Sequence, residues 1–166
     1  GVLPLRVPGT LAARVGGAAL GLAGSIMQAV TRNPLADPGV LGVNAGAAFL
    51  VVVATAVAGV STRALTMGAA LVGAGVAAAL VFMLSGRGGA GSRARLALAG
   101  IAVSAALVSL TQAVLAGHQF AFNEFRYWVS GSLEGVDMAS LTWAGTLIAC
   151  GAVRGALLTS PLGVLS

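Results

Sequence analysis

Few side chains in this sequence have the chemistry of a catalyst or a metal ligand. The acids are Asp37, Glu124, Glu134 and Asp137, with His118 the one histidine and Cys150 the one cysteine. Glu124, Glu134 and Asp137 lie close enough in sequence to form a hydrolytic acid–base pair, but such work needs two carboxylates held in different environments. Nothing around them supplies that, and they read as solvated loop charges. His118 has no second His or Cys at a ligand spacing and reads as a polar residue near an interface. Cys150, alone, excludes an intrachain disulfide or a Cys-rich zinc site and reads as a buried small hydrophobe. All nine basic residues are arginine, so a GxxxxGK[ST] loop for nucleotide phosphates is impossible here. The expectation is a non-enzymatic chain that binds no cofactor of its own.

Two other groupings are more informative. Residues 28–42 read QAVTRNPLADPGVLG. Pro34 and Pro38 donate no backbone hydrogen bond and hold Asn33 and Asp37 extended, so a helix must end here. Asp37 then suits an N-cap, with Pro38 opening the next helix. The stretch is either a tight capped turn or a rigid corner at a cytoplasmic gate or subunit contact, built from Gln28, Asn33, Pro34, Asp37 and Pro38. The second grouping is Ser104, Ser109, Thr111 and Gln112, within one apolar run. Polar groups at membrane depth face a bundle interior or a watery path. Ser104 and Thr111, two helical turns apart, share a helix face, which serves either helix–helix packing or such a path.

The elements that position these residues follow from composition. Of 166 residues, 58% are apolar and 8% charged, with a mean hydropathy of +0.99. Soluble domains run near 45–50% and about 25%, so lipid must cover most of this surface. That excludes a soluble enzyme and a disordered chain. Five nearly charge-free windows have the ~20 residues that cross a ~30 Å hydrocarbon core: residues 11–30, 40–60, 64–84, 96–116 and 140–159. They lack the alternation of a barrel strand, so the fold class is an all-α polytopic transmembrane bundle over residues 1–166. Arg14 and Arg154 lie near span ends, where a long side chain reaches the headgroups. Small residues stand four apart at Gly17 and Gly21, Gly42 and Gly46, Ala69 and Gly73, and Gly100 and Ser104, a spacing that lets helix backbones approach. The net charge of +5 is scattered, with no basic stripe for nucleic acid.

Orientation rests on arginines in short loops. Arg32, Arg87, Arg93 and Arg95 share one side, against Arg6, Arg63 and Arg126 on the other, so the loop at residues 85–95 is expected to be cytoplasmic. The opposite side holds Phe120, Phe122, Phe125, Tyr127 and Trp128, an aromatic belt in an outward loop.

The run GGAALGLAGSIMQAVTRNPLADPGVLGVNAGAAF, residues 16–49, closely resembles the signature of the FecCD-type permeases, membrane subunits of ABC importers for iron–siderophore, haem and cobalamin. Two more blocks match in order: LALAGIAVSAALVS at 96–109 and FRYWVSGSLEG at 125–135, with Met138 where many members carry Trp. The resemblance implies a permease fragment holding the second to sixth of about ten spans, in keeping with ends that carry neither an initiator Met nor a polar tail. It implies a multi-pass protein of the bacterial cytoplasmic (inner) membrane that translocates a metal chelate. The aromatic, arginine-containing block points to iron–siderophore. The implied partners are a second permease chain (homo- or heterodimer), two ABC ATPase subunits that hydrolyse ATP, an extracytoplasmic substrate-binding protein and the lipid membrane. It also implies that Ser104, Ser109, Thr111 and Gln112 line the translocation path, and it favours docking of the binding protein as the use of Glu124, Glu134 and Asp137.

Two other classes stay compatible with the residues alone. One is an ion-coupled secondary transporter or channel, with the Asn33–Pro38 corner as a broken helix at a binding site, although no span carries a mid-membrane acid. The other is a membrane scaffold that uses its small-residue faces for assembly only. The topology predicts that cysteines placed at Ser92 and Asn123 react differently with a membrane-impermeant thiol reagent in intact cells. Only the Asn123 position should label, and the reverse pattern would overturn the orientation.

Overall fold

A computed structural model describes residues 3–31, 37–86 and 92–130, and 142, 145–146 and 148–151 of the C-terminal stretch. The chain divides into two compact units, one of residues 1–36 with 132–166 and the other of residues 37–131.

In the first unit, helix α1 spans Leu3–Thr31. Its segment Gly9–Ala29 is long and apolar enough to cross a membrane. The Gly17 and Gly21 pair on α1 faces open space, with no atom within 4 Å of where a side chain would begin. Cys150 is exposed rather than buried; a thiol is apolar enough to face lipid. The window at 140–159 falls mostly outside the described residues, as do Asn33, Pro34, Glu134 and Asp137.

The second unit starts at Asp37, extended at φ −121° and ψ 134°, as its position before Pro38 requires. Its carboxylate accepts the Gly39 N–H at 2.5 Å, and Pro38 opens the helical turn. What Asp37 caps, however, is a four-residue 3₁₀ turn, Pro38–Leu41, and not a membrane-length helix. Gly42 then takes a left-handed conformation at φ 69°, and only after it does α2 run over Val43–Ala58. At 1.5 Å per residue these 16 residues reach about 24 Å, short of a ~30 Å hydrocarbon core. The expected continuous span at 40–60 is thus broken. Gly42 is the physical reason, because φ > 0 ends one helical segment and re-aims the next, at little steric cost in a residue without Cβ.

Gly59, also left-handed, closes α2 with its N–H on the Thr55 carbonyl at 3.0 Å. Thr62 then caps α3, Arg63–Ser85, accepting the Leu65 N–H at 3.3 Å. Helix α4 covers Ser92–Gly117 and α5 covers Gln119–Val129. Helices α3 and α4 have spanning length and hydropathy, so with α1 three described helices can cross a membrane.

Small residues make the packing of this unit. Gly46 of α2 and Gly73 of α3 lie backbone to backbone: a Cβ on Gly46 would strike the Gly73 carbonyl and come within 2.5 Å of Ala77 Cβ. A Cβ on Gly73 would strike the Gly46 carbonyl and lie 2.8 Å from Leu50 Cβ. Gly100 of α4 is in equally close contact with the Val40 carbonyl of the 3₁₀ turn. Ser104, one turn on, faces Gly42, its Oγ 3.1 Å from where a Gly42 Cβ would stand. Below these contacts Val52, Leu115 and Ala121 close a small core joining α2, α4 and α5.

Two stability predictions follow from the geometry. In the full-length protein Gly73→Leu should lower stability by at least about 1–3 kcal/mol through overpacking. Gly75→Leu, where a Cβ meets open space, should stay within about 0.5 kcal/mol. Asp37→Leu should cost about 1 kcal/mol of cap while Asp37→Asn is mild. Thermal unfolding of the detergent-purified protein reads each effect.

Candidate functional site

Helix α4 has two faces, distinguished by size and burial more than by polarity. Gly100, Val103, Thr111 and Leu115 are buried, and Ser104, Leu107 and Val114 are half-buried between them. That spacing of three and four is one side of a helix. Ser104 and Thr111 therefore do share a face, and that face is turned into the chain's own packing. Thr111 is 4% exposed and its hydroxyl donates to the Leu107 carbonyl at 2.7 Å; among the described residues no buried side-chain N or O atom lacks a hydrogen-bond partner. Ser109 and Gln112 lie on the other side, exposed in a row with Ala105 and Ala116. Ser109 returns its hydroxyl to the Ala105 carbonyl at 2.9 Å. The four polar residues of α4 thus split into an inner pair and an outer pair.

His118 separates α4 from α5. Its backbone is extended at φ −133° and ψ 91°, and its Nδ1 donates to the Val114 carbonyl at 3.2 Å. The chain turns there because His118 N–H still reaches the Leu115 carbonyl at 3.4 Å while its own carbonyl already accepts from Phe122. The aromatic stretch expected as a loop is consequently a helix. The physical reason is visible in its spacing: Ala121, Phe125 and Trp128 recur at four and three residues, and Ala121 is buried against Val52 and Leu115. Phe125 and Trp128 stack with centroids 6.2 Å apart.

The second face of α5, Phe122, Phe125, Arg126 and Val129, meets Gln112 and Leu115 of α4 around an open cavity of about 220 Å³. Its floor is Leu115, its walls are mostly apolar, and its polar groups are the Gln112 amide and the Arg126 guanidinium. Of the candidate path, gate and docking residues named from sequence, only Gln112 belongs to it, while Phe122, Phe125 and Arg126 were read there as belt and loop residues. The period of three and four through residues 122–129 was the signal that would have found the others.

The remaining described candidates lie on other elements or off the cavity lining. Asp37 is exposed and Pro38 half-buried at the 3₁₀ turn, while Gln28 is exposed on α1 in the other unit. Glu124 is half-buried on α5 and does not line the cavity. Among the described residues no three His, Cys, Asp or Glu side chains gather as a metal site.

Comparison with known proteins gives concordant matches. The chain is 45% identical over 134 residues to the ferric enterobactin transport system permease protein FepD of Escherichia coli, covering 80% of this chain and 40% of that one. It is 36% identical over 170 residues to the hemin transport system permease protein HmuU of Yersinia pestis, covering 98% of this chain and 50% of the relative. The chain thus spans about half or less of the length of these relatives. A solved structure described as an inward-facing conformation of a metal-chelate type ABC transporter shares the fold, with a TM-score of 0.82 at 24% identity over 99% of this chain and 53% of that one. The FecCD transport family model matches residues 1–166, end to end. With the proline corner, the small-residue contacts and the membrane-length helices all inside that match, the chain belongs to the FecCD transport family.

Proposed function

We propose that this chain forms part of the membrane permease of an ABC importer, which carries a metal chelate, in the first place an iron–siderophore, across the bacterial cytoplasmic membrane. The observation that carries this reading is the family match over residues 1–166. The named relatives include permeases for ferric enterobactin and hemin. On the family match we assign ATP binding and hydrolysis to two partner ATPases, in keeping with a sequence that holds no P-loop. A second permease chain completes the path, and an extracytoplasmic binding protein delivers the chelate to its outer mouth.

Within this scheme the exposed row of α4, with Ser109 and Gln112, lines the path, and Ser104 and Thr111 stand behind it and hold α4 against the 3₁₀ turn and α2. Small hydroxyls and an amide suit this task, since a carboxylate lining would trap a metal ion whereas neutral polar groups let a chelate pass. The corner of Gln28, Asn33, Pro34, Asp37 and Pro38 serves as a cytoplasmic gate element. Glu124, Glu134 and Asp137 form the docking surface for the binding protein. Alternating access follows from ATP-driven movement of the two permease chains.

The test is uptake and co-purification with the full-length protein. An ATPase pair should co-purify, and uptake of a ⁵⁵Fe-labelled chelate should stop when the ATPase is inactivated. Uptake that persists without the ATPase and collapses with an ion gradient would instead establish a secondary transporter. In the importer, cysteines at Ser109 and Gln112 should react with small polar thiol reagents in one nucleotide state and resist them in another, whereas cysteines at Ser104 and Thr111 should react slowly in all states. Equal reactivity at the four positions would overturn the assignment of faces.

A further inference from the structure

The cavity between α4 and α5 has a composition that the fold does not require. A structural seam between two membrane helices is filled by small or apolar side chains; here Leu115, Phe122, Phe125 and Val129 leave about 220 Å³ open and place an arginine on its wall. We infer that this cavity is a subsite for an anionic, oxygen-bearing planar arm of the transported chelate, an aryl catecholate or a carboxylate, with Arg126 as the residue that selects for negative charge.

Charge is the first argument. Arg126 is the one ionisable group among the described residues that line the cavity. The acid nearest to it in sequence, Glu124, is two residues away on α5, which sets it about 200° around the helix and off the lining. This open, mostly apolar cavity therefore carries a net positive charge that attracts an incoming anion.

Shape is the second argument. A guanidinium presents paired N–H donors in a plane and grips two oxygens at once, which fits a catecholate or carboxylate better than a single-oxygen ligand. Phe122 and Phe125 supply flat apolar surface beside it, and Gln112, on α4, adds an amide able both to donate and to accept. Pockets that enclose a drug-sized ligand run about 300–1,000 Å³. This one holds an arm of a chelate rather than the whole. The exposed Ser109 lies one turn from Gln112 on α4, so an arm seated here leaves the body of the chelate along the proposed path. Anionic lipid phosphate shares the charge but has no planar ring to lay against the aromatic lining of Phe122 and Phe125, which favours the chelate.

The inference rests on the permease reading above, and the experiment separates the two. In the full-length protein Arg126→Gln, Arg126→Lys and Gln112→Leu are compared for uptake of ⁵⁵Fe tricatecholate (anionic) and of an uncharged ⁵⁵Fe hydroxamate. Binding of the corresponding gallium(III) complexes to the purified protein is measured by calorimetry, in detergent with and without anionic lipid. Arg126→Gln should weaken binding and raise the half-saturation of the anionic complex about tenfold or more, leave the uncharged complex unchanged, and be partly rescued by Arg126→Lys. Gln112→Leu should weaken the same complex more modestly, which keeps the test open if Arg126→Gln fails to accumulate in the membrane. Anionic binding that depends on Arg126 without any uptake would uphold the subsite and overturn the permease reading. Uptake of either complex with no dependence on Arg126 would overturn the subsite and leave the permease standing. A loss in Arg126→Gln that is equal for both complexes and varies with anionic lipid would assign the arginine to a lipid phosphate and overturn the subsite as well.

Discussion

The second unit depends on one steric fact: the backbones of α2 and α3 touch at Gly46 and Gly73. In lipid the hydrophobic effect does not press helices together, because the tails are as apolar as the side chains, so association must come from close van der Waals contact and satisfied hydrogen bonds. Contact at backbone distance maximises the first of these along the whole seam. It brings Ala77, Val81 and Ser85 of α3 into the interior in turn, each one helical turn beyond the last. The same device recurs where Gly100 meets the Val40 carbonyl, which ties α4 to the proline turn. Without a Cβ at these positions the chain gains an intimacy that no leucine seam provides.

From that anchoring the functional geometry follows. Because Gly100 and Ser104 hold one face of α4 against the turn and Gly42, the opposite face, with Ser109 and Gln112, is left exposed. Because α4 stops at His118 and the chain re-enters a helix at once, α5 is held near it through Ala121 and Leu115. A polar amide on one helix and a guanidinium on the next then border one cavity. The arrangement needs no buried charge, whose desolvation would be costly: Arg126 is exposed.

Much of this was legible from residues alone, for reasons that differ by element. The membrane class followed from composition, because a chain with so few charged residues cannot cover itself in water. The extended Asp37 and the end of helix at the proline corner followed from the local covalent constraints of proline. The cap at Asp37 was legible too, but its extent was not: whether a capped turn runs on into a span is decided by the φ of Gly42, and glycine is compatible with either sign. The small-residue spacing was equally ambiguous. Gly42, Gly46 and Gly73 make close contacts, whereas Gly17 and Gly21 meet no neighbour in their unit, although all belong to pairs with the same spacing.

The sequence by itself determined what is local or compositional: the lipid solvent, the helical class, the corner, the missing phosphate loop and the family to which these motifs belong. Only the tertiary structure decided which side of α4 is inside. Its exposed face, with Ile101, Val108 and Leu110, is as apolar as its buried one, since in a membrane both packing and lipid favour apolar side chains, and no hydrophobic periodicity marks the interior. It also decided that Ser104 and Thr111 pack while Ser109 and Gln112 do not, and that Phe122, Phe125 and Arg126 meet residues of the preceding helix. Those outcomes depend on contacts between segments distant in sequence, made where two glycines allow two backbones to meet.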